Sequence, residues 1–481
     1  MRRLQMQGGV LLLPSVFVLL AFFRLTITGL QYTIVCVKVG MVANARWFKE
    51  DKMTAEVGVM NRLGIALAAD SAVSLGPGAE KIYTSVDKLF QLAEAAPVGV
   101  MIYGNAVFVE VPWETIIKIY RKQLGNQTFD TLQEYTDNFL KFLENHPTLF
   151  PASEQETVVS DLIDEIYATL KIALTEYLEG QFQQKGKLDI NEIKVAFADF
   201  IDSQLNGVKA LPSLEELPND FDQAFKNRYL TLISDATQEV FGKVPRTIES
   251  ESALAELVTK LVLSQRRSGH RSGLVVAGFG EHEHFPSLVE IDLYGMADGQ
   301  LLFCKQRDAV VGRDGGAAIV PFAQSEMVHT FMEGIDPSLR EWIESATEVL
   351  FRGVSETILK DVKSKHPSYG SALEKTVEGQ LAQLLEGLQE EWKQNINQNF
   401  ASPVMEIVRA LPKDELAAMA ESLVNLTKFK RRVSRQQETV GGPIDVAVIT
   451  KGDGFVWVKR KHYFKPELNP RLMSKHLRGD S

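Results

Sequence analysis

The sequence predicts an α+β fold built mostly from antiparallel sheets. Short apolar runs of strand character occur at the start, middle and end of the chain, and two long helical stretches separate them. No regular alternation of strand and helix appears, which argues against a parallel sheet. If the first and last strand pairs share a sheet, the helical stretches are insertions into one domain rather than separate domains.

The elements follow in order. Thr54–Met60 and Gly64–Ala69 flank Asn61-Arg62-Leu63 and read as a hairpin. Lys88–Leu92 and Val98–Tyr103 form a second strand pair around Ala93–Pro97. Trp113, Ile116, Ile117 and Tyr120 then recur at helical spacing, and a helical insertion is expected over about 127–265. Strand character returns at Leu274–Phe279, Ser287–Leu293 and Leu301–Lys305. A second helical insertion is expected over about 322–433, with Leu339, Trp342, Ile343, Ala346 and Leu350 on one face. Ile444–Thr450 and Phe455–Lys459 close the chain around Lys451-Gly452-Asp453-Gly454, a hairpin signal.

Composition narrows the function. The 481 residues are 45% hydrophobic and 24% charged, which excludes a collagen-like or wholly disordered chain. The net charge of -10 argues against a nucleic-acid binder, which needs a basic field. Two cysteines, Cys36 and Cys304, exclude a disulfide framework and a cysteine-rich zinc site.

Residues 1–53 differ from the rest. Seven basic residues stand against Glu50 and Asp51, and the segment is the most apolar of the chain. A signal peptide, a membrane anchor and an over-extended start with the working chain beginning at Met53 are the three readings. Arg24 and Lys38 interrupt the apolar region, and Val10–Phe23 is short for a span. The residues from Thr54 onward favour the start at Met53. Only a leader retained in the mature protein would bring a membrane into play.

Met53-Thr54-Ala55-Glu56-Val57-Gly58-Val59, followed by Gly64-Ile65-Ala66-Leu67-Ala68-Ala69-Asp70-Ser71, resembles the opening of proteasome β subunits and the bacterial HslV peptidase. These are threonine-type N-terminal nucleophile hydrolases. In that family the catalytic Thr begins the mature chain and an Asp closes the second strand, and Thr54 and Asp70 stand at that spacing. The resemblance sets Lys88 at the place of the family lysine and Gly104 at the place of the oxyanion glycine. It implies a four-layer αββα sandwich from residue 54 to 481 with large all-helical insertions.

The chemistry explains the residue types. A Thr hydroxyl is a weak nucleophile and needs a base beside it. An exposed α-amine, with a pKa of about 7.7–8.0, can serve. Asp70 would hold the Lys88 ammonium, which lowers the pKa of its neighbours. A backbone N–H at Gly104 would face the developing oxyanion. Methionine aminopeptidase can expose a Thr that follows an initiator Met, whereas Asp51-Lys52-Met53 lacks the Gly that usually precedes the Thr in self-cleaving members.

Further stretches come in family order. Leu274–Gly280 with Pro286–Asp292 resembles the central strand pair, and Gly441-Gly442 before Ile444–Thr450 resembles the last hairpin. Gln437 and Val440 replace the Asp and Ser that many β subunits carry there, which leaves Glu438 and Thr439 as possible support. Ala72 replaces an Arg, and Asp314-Gly315-Gly316 stands where the family has Ser-Gly-Gly, with Gly315 as possible support.

Other features have plain explanations. Glu281-His282-Glu283-His284 has no Cys or third ligand nearby and reads as a solvated turn. Lys428, Lys430, Arg431, Arg432 and Arg435 read as a solvated helix C-terminus. Lys81 is the rival to Lys88, and Cys304 reads as buried.

The function implied is hydrolysis of amide bonds in peptides or unfolded proteins, in the cytoplasm, by a self-associating chain in which a helical block narrows access to Thr54. No metal or organic cofactor is implied. A non-catalytic proteasome-like subunit and a small-molecule amidase of the same group are the alternatives.

Overall fold

The computed structural model describes residues 54–75, 81–209, 211–265, 270–313, 316–366, 370–434, 441–462 and 464–470. The leader, Gly315, Glu438 and Thr439 lie outside them.

The chain opens with β1 (Ala55–Asn61) and β2 (Gly64–Asp70), an antiparallel hairpin. The Asn61 side chain fixes its turn. Its Oδ1 accepts from the Leu63 N–H, and its Nδ2 donates to the carbonyls of Val408 and Leu411. A small ribbon of β3 (Val73–Leu75) and β4 (Lys81–Tyr83) precedes β5 (Leu89–Gln91) and β6 (Val98–Gly104). A second ribbon, β7 (Val107–Phe108) with β8 (Val111–Pro112), leads into the first helical stretch.

That stretch comprises α1 (Trp113–Leu124), α2 (Leu132–Asn145), α3 (Ala152–Lys185), α4 (Ile190–Val208), α5 (Phe221–Phe241) and α6 (Ile248–Val262). Capping boxes at Thr131 and Asp189 start α2 and α4. Strands β9 (Ser272–Gly278), β10 (Ser287–Ala297), β11 (Gln300–Val310) and β12 (Ala318–Ala323) follow. The second stretch is α7 (Glu326–Glu333), α8 (Pro337–Lys365), α9 (Gly370–Ile396), a π-turn at Asn397–Ala401, α10 (Ser402–Val408) and α11 (Lys413–Val433). β13 (Ile444–Thr450) and β14 (Gly454–Lys459) end the strands.

Two antiparallel five-stranded sheets result. One has the order β12-β1-β2-β13-β14 and the other β11-β10-β9-β6-β5. The first strand pair and the last therefore share a sheet, because β13 pairs with β2 from Ile444↔Asp70 to Ile449↔Ile65. Gly64 is required at this junction, where an added Cβ would stand 2.4 Å from the Ile449 carbonyl oxygen.

Alternation along the strands feeds three apolar clusters. Met60, Ile65, Leu67, Met101, Val275, Leu288, Phe322 and Ile449 meet between the sheets. Val57, Val59, Ala66, Ala68 and Val446 pack on Leu416, Ala420 and Val424 of α11. The outer residues of the other sheet, such as Val100, Val276 and Ile291, share one continuous cluster with α1–α6. Both faces of β1 and β2 are covered, which is why they read as nearly unbroken apolar runs.

Strand β12 corrects an expectation. The sequence pattern sets Phe322 at the start of the second helical stretch, but it lies in a strand paired with β1, and the helices begin at Glu326. Pro321 disguises this strand, since proline cannot donate to a ladder. It is tolerated because β12 is an edge. Among the described residues no helix is long and apolar enough to cross a membrane.

Phe322 is buried between the sheets and stacks on Tyr103. Phe322→Ala should cost about 3–5 kcal/mol in guanidinium unfolding. Ile172→Ala, on the exposed face of α3, should stay within about 0.5 kcal/mol. Equal effects at the two sites would contradict this packing.

Candidate active site

The hairpin β1–β2 places Thr54 and Asp70 together. Thr54 immediately precedes β1 and Asp70 ends β2. The Ala55 N–H donates to Asp70 Oδ1 at 3.3 Å, so the residue after Thr54 is tied directly to that carboxylate. Asp70 Oδ2 accepts from the Gly441 N–H at 2.9 Å, which ties the same carboxylate to the segment leading into β13.

Lys88 comes from the other sheet. It sits just ahead of β5, its carbonyl accepting the Ile102 N–H of β6 at 2.8 Å. Its Nζ reaches across to donate to Asp70 Oδ1 at 2.6 Å and Glu56 Oε1 at 3.0 Å. All four side-chain positions are buried: Thr54 at 3%, Glu56 at 0%, Asp70 at 1% and Lys88 at 4% exposure. Lys81 belongs to the β3–β4 ribbon, where it pairs with Leu75.

Glu56 is the residue that sequence reasoning missed. Val57 and Val59 point to α11 while Met60 points to the opposite sheet. The two-residue period therefore puts Thr54, Glu56 and Met60 on one face. A carboxylate inside an otherwise apolar strand was the available signal.

The charges do not cancel, because one ammonium serves two carboxylates. Burial penalises the Lys88 ammonium, but Asp70 and Glu56 outweigh that penalty and raise its pKa above the usual lysine value. Burial, opposed by Lys88 and reinforced by the Asp70 charge, raises Glu56 to about 7. The Thr54 hydroxyl is close enough to favour the charged form of Glu56. Geometrically, however, Thr54 Oγ1 and Glu56 Oε2 each lack a hydrogen-bond partner among the described residues. The two side chains thus lie close enough to interact, while these two atoms are left without a bond.

A cavity of about 1440 Å³ opens on the Lys88 side of this cluster, and Thr54, Glu56 and Asp70 are buried behind its lining. Lys88 and Gly104 line it, with Phe90, Ile102 and Trp113 as apolar wall and Glu94 and Arg121 among its charged groups. Helix α1 supplies one side, and Arg460, His462 and Phe464 beyond β14 supply another. Lys461 pins that last segment by pairing with Asp445 and with Asp87, the residue before Lys88. Gly104 has φ +78°, and an added Cβ would stand 2.6 Å from the Arg271 carbonyl oxygen, so the position requires glycine.

The other candidates resolve differently. Glu283 accepts the Leu132 N–H at the start of α2 and the Gly280 N–H, and His282 pairs with Asp130, so this turn anchors a helix. No group of three or more His, Cys, Asp or Glu able to hold a metal ion occurs among the described residues. The basic run of α11 is more than a solvated helix end. Lys428 donates to the Gly442 carbonyl, Lys430 pairs with Asp336, and buried Arg431 donates to Gln324 Oε1. The Gln324 N–H in turn donates to the Thr54 carbonyl, which links α11 to the start of β1. Cys304 is free and buried. No family model matches the sequence, and no curated protein matches it.

The raised Glu56 pKa couples stability to pH. A carboxyl raised on folding contributes stability that is complete below about pH 4.5 and is lost as the pH rises through about 7. Glu56→Gln removes this loss. Its stability relative to the parent should therefore increase between pH 4.5 and pH 8 in urea unfolding, and a difference independent of pH would contradict the assignment.

Proposed function

We propose that the chain is a threonine-nucleophile amide hydrolase of the proteasome-like, N-terminal nucleophile type. The observation that carries this reading is the Asp70 carboxylate, which joins the Lys88 ammonium of one sheet to the backbone N–H of Ala55, the residue after Thr54, in the other. The layering supports it. Helices cover the outer face of each sheet and a third cluster lies between the sheets, as in an αββα sandwich.

In this reading Thr54 Oγ attacks the carbonyl carbon of a bound amide. The resulting ester releases the amine and is then hydrolysed by water. With its raised pKa, Lys88 stays an ammonium at neutral pH and acts as a fixed positive charge beside the nucleophile. Asp70 holds that charge in place. The Gly104 N–H is the proposed oxyanion donor, at the rim of the cavity that Lys88 shares. The α-amine needs Thr54 at the chain start, and in the cytoplasm removal of Met53 supplies it.

The cavity suits an extended peptide or unfolded segment. Its walls offer apolar side chains, and α1 with the segment after β14 narrows the approach.

Self-association belongs to the same proposal. Helix α8 leaves Leu339, Trp342, Leu350, Val354 and Ile358 exposed. Its first half carries Glu341, Glu344 and Glu348 against Arg340, and its last half Arg352, Lys360, Lys363 and Lys365 against Glu356 and Asp361. Antiparallel pairing of two such helices about a twofold axis sets each acidic half on a basic half. Sedimentation velocity should therefore show an oligomer that Trp342→Glu combined with Leu350→Glu reduces to monomer, and an unchanged mass would refute this face.

For the chemistry, N-terminal sequencing of the native protein should begin at Thr54. Fluorogenic peptides should be cleaved, and Thr54→Ala should lower kcat/KM by about 10³-fold or more. Cleavage of acyl-amino or lactam substrates alone would make it a small-molecule amidase. No hydrolysis by either form would leave a non-catalytic subunit.

A further inference from the structure

The proposed reaction, on which this inference rests, requires something to take the proton of the Thr54 hydroxyl. Lys88 is unsuited to that task, because both of its carboxylate partners hold it in the ammonium form. Asp70 is also committed, with Oδ1 accepting from Ala55 and Lys88 and Oδ2 from Gly441. Glu56 differs. One of its oxygens accepts from Lys88, and the other has no hydrogen-bond partner among the described residues. It is fully buried, two residues from Thr54 and on the same face of the strand, and the Thr54 hydroxyl is likewise unpartnered. Leaving two such atoms unsatisfied in the interior costs free energy, which the fold bears at this one place on β1.

We propose that Glu56, in place of the Thr54 α-amine, is the proton acceptor for Thr54, so that the pH limb of Thr54 acylation belongs to Glu56 and is lost in Glu56→Gln although the α-amine remains. As Oγ forms its bond to the substrate carbonyl carbon, the hydroxyl proton passes to Glu56 Oε2 and the carbonyl electron pair moves onto oxygen. When the tetrahedral species collapses, the C–N bond breaks and the Glu56 carboxylic acid returns that proton to the leaving amine. Water then attacks the ester and gives one proton to Glu56. Glu56 returns it to Thr54 Oγ as the acid product leaves, so the protein ends unchanged. Lys88 stays protonated throughout.

The environment of Glu56 suits this cycle. Lys88, ahead of β5, and Asp70, on β2, are the charged groups that act on it. Across β1 it faces Phe322 of β12, which carries no charge. Tyr103 of β6, stacked on that ring, sends its hydroxyl away to Glu290 and Asp292. Burial and the Asp70 charge hold Glu56 near 7, where a group can both accept and return a proton at neutral pH.

The test uses the chain beginning at Thr54 and a β-lactone, an electrophile that acylates a hydroxyl directly. The rate of adduct formation at Thr54 is followed by mass spectrometry from about pH 5 to 9, a range that brackets the Glu56 titration. The parent rate should rise about tenfold per pH unit up to about 7 and then level. Glu56→Gln should lose that limb and be slower by about 100-fold at pH 7. Glu56→Asp should restore a limb at a shifted position. An unchanged profile and rate in Glu56→Gln, with the parent forming its adduct, would overturn the role of Glu56 alone. Absence of any Thr54 adduct in the parent would overturn the proposed function, and this role with it. Should Glu56→Gln fail to fold, infrared spectra of Thr54→Ala decide. A protonated-carboxyl band that titrates near pH 7 supports the assignment, and its absence overturns it.

Discussion

The structure depends on one buried ammonium. Lys88 belongs to the sheet of β5 and β6, yet its charge is neutralised in the other sheet, by Asp70 and Glu56. A bare ammonium in that position would be strongly disfavoured by burial, and so would either carboxylate. The three therefore fix the register of one sheet against the other at a single point, while the apolar cluster between the sheets supplies non-directional attraction. Removing Lys88 leaves two buried carboxylates without a counterion, whereas removing one carboxylate leaves the ammonium paired with the other, so the positions of Glu56, Asp70 and Lys88 are coupled through electrostatics as well as through backbone pairing.

The coupling extends outward through ordinary hydrogen bonds. Asp70 holds Gly441, Ser71 holds Pro443 through its hydroxyl, and the Val86 N–H donates to the Ser71 carbonyl. The end of β2, the start of β13 and the approach to Lys88 thus converge on two consecutive residues. Arg431 and Gln324 make the corresponding connection on the other side of Thr54, from α11 through β12. Segments 371 and 372 residues apart in the chain thus meet at Asp70 and Ser71.

Much of this was legible in the sequence, and what was hidden has physical causes. Thr54, Asp70 and Lys88 could be placed because the opening stretch resembles that of proteasome β subunits, and the β1–β2 pairing then accounts for the first two standing at one end of a hairpin. Glu56 is hidden because a carboxylate in a strand is ordinarily turned to solvent, and only the covering of both faces of β1 makes it exceptional. Strand β12 is hidden by Pro321, whose missing donor matters only if a strand has neighbours on both sides. The β10–β11 hairpin is readable from Asp298-Gly299, both with positive φ, yet its strands extend well beyond the apolar runs that announce them. Arg431 looks like part of a solvated basic run, since composition does not reveal that one member of the run turns inward to Gln324.

The two helical stretches differ in what they do, although both have helical periodicity. The first shares a continuous apolar cluster with the outer face of its sheet, through residues such as Phe139, Leu162 and Tyr167, and α1 forms part of the cavity wall. It is a layer of the domain, and its loss would expose the face that β6, β9 and β10 bury. In the second, only α11 and the elements beside it cover a sheet. Helices α8 and α9 pack on each other and retain large apolar residues at the surface, and among the described residues of that pair Leu359 and Leu381 are the buried hydrophobic ones. A helix that needed only to fill space would replace Trp342 and Leu350 with polar residues at no cost to the packing beneath. Trp342 and Leu350 stay at the surface of α8, whereas the first stretch turns Phe139, Leu162 and Tyr167 into the cluster it shares with its sheet.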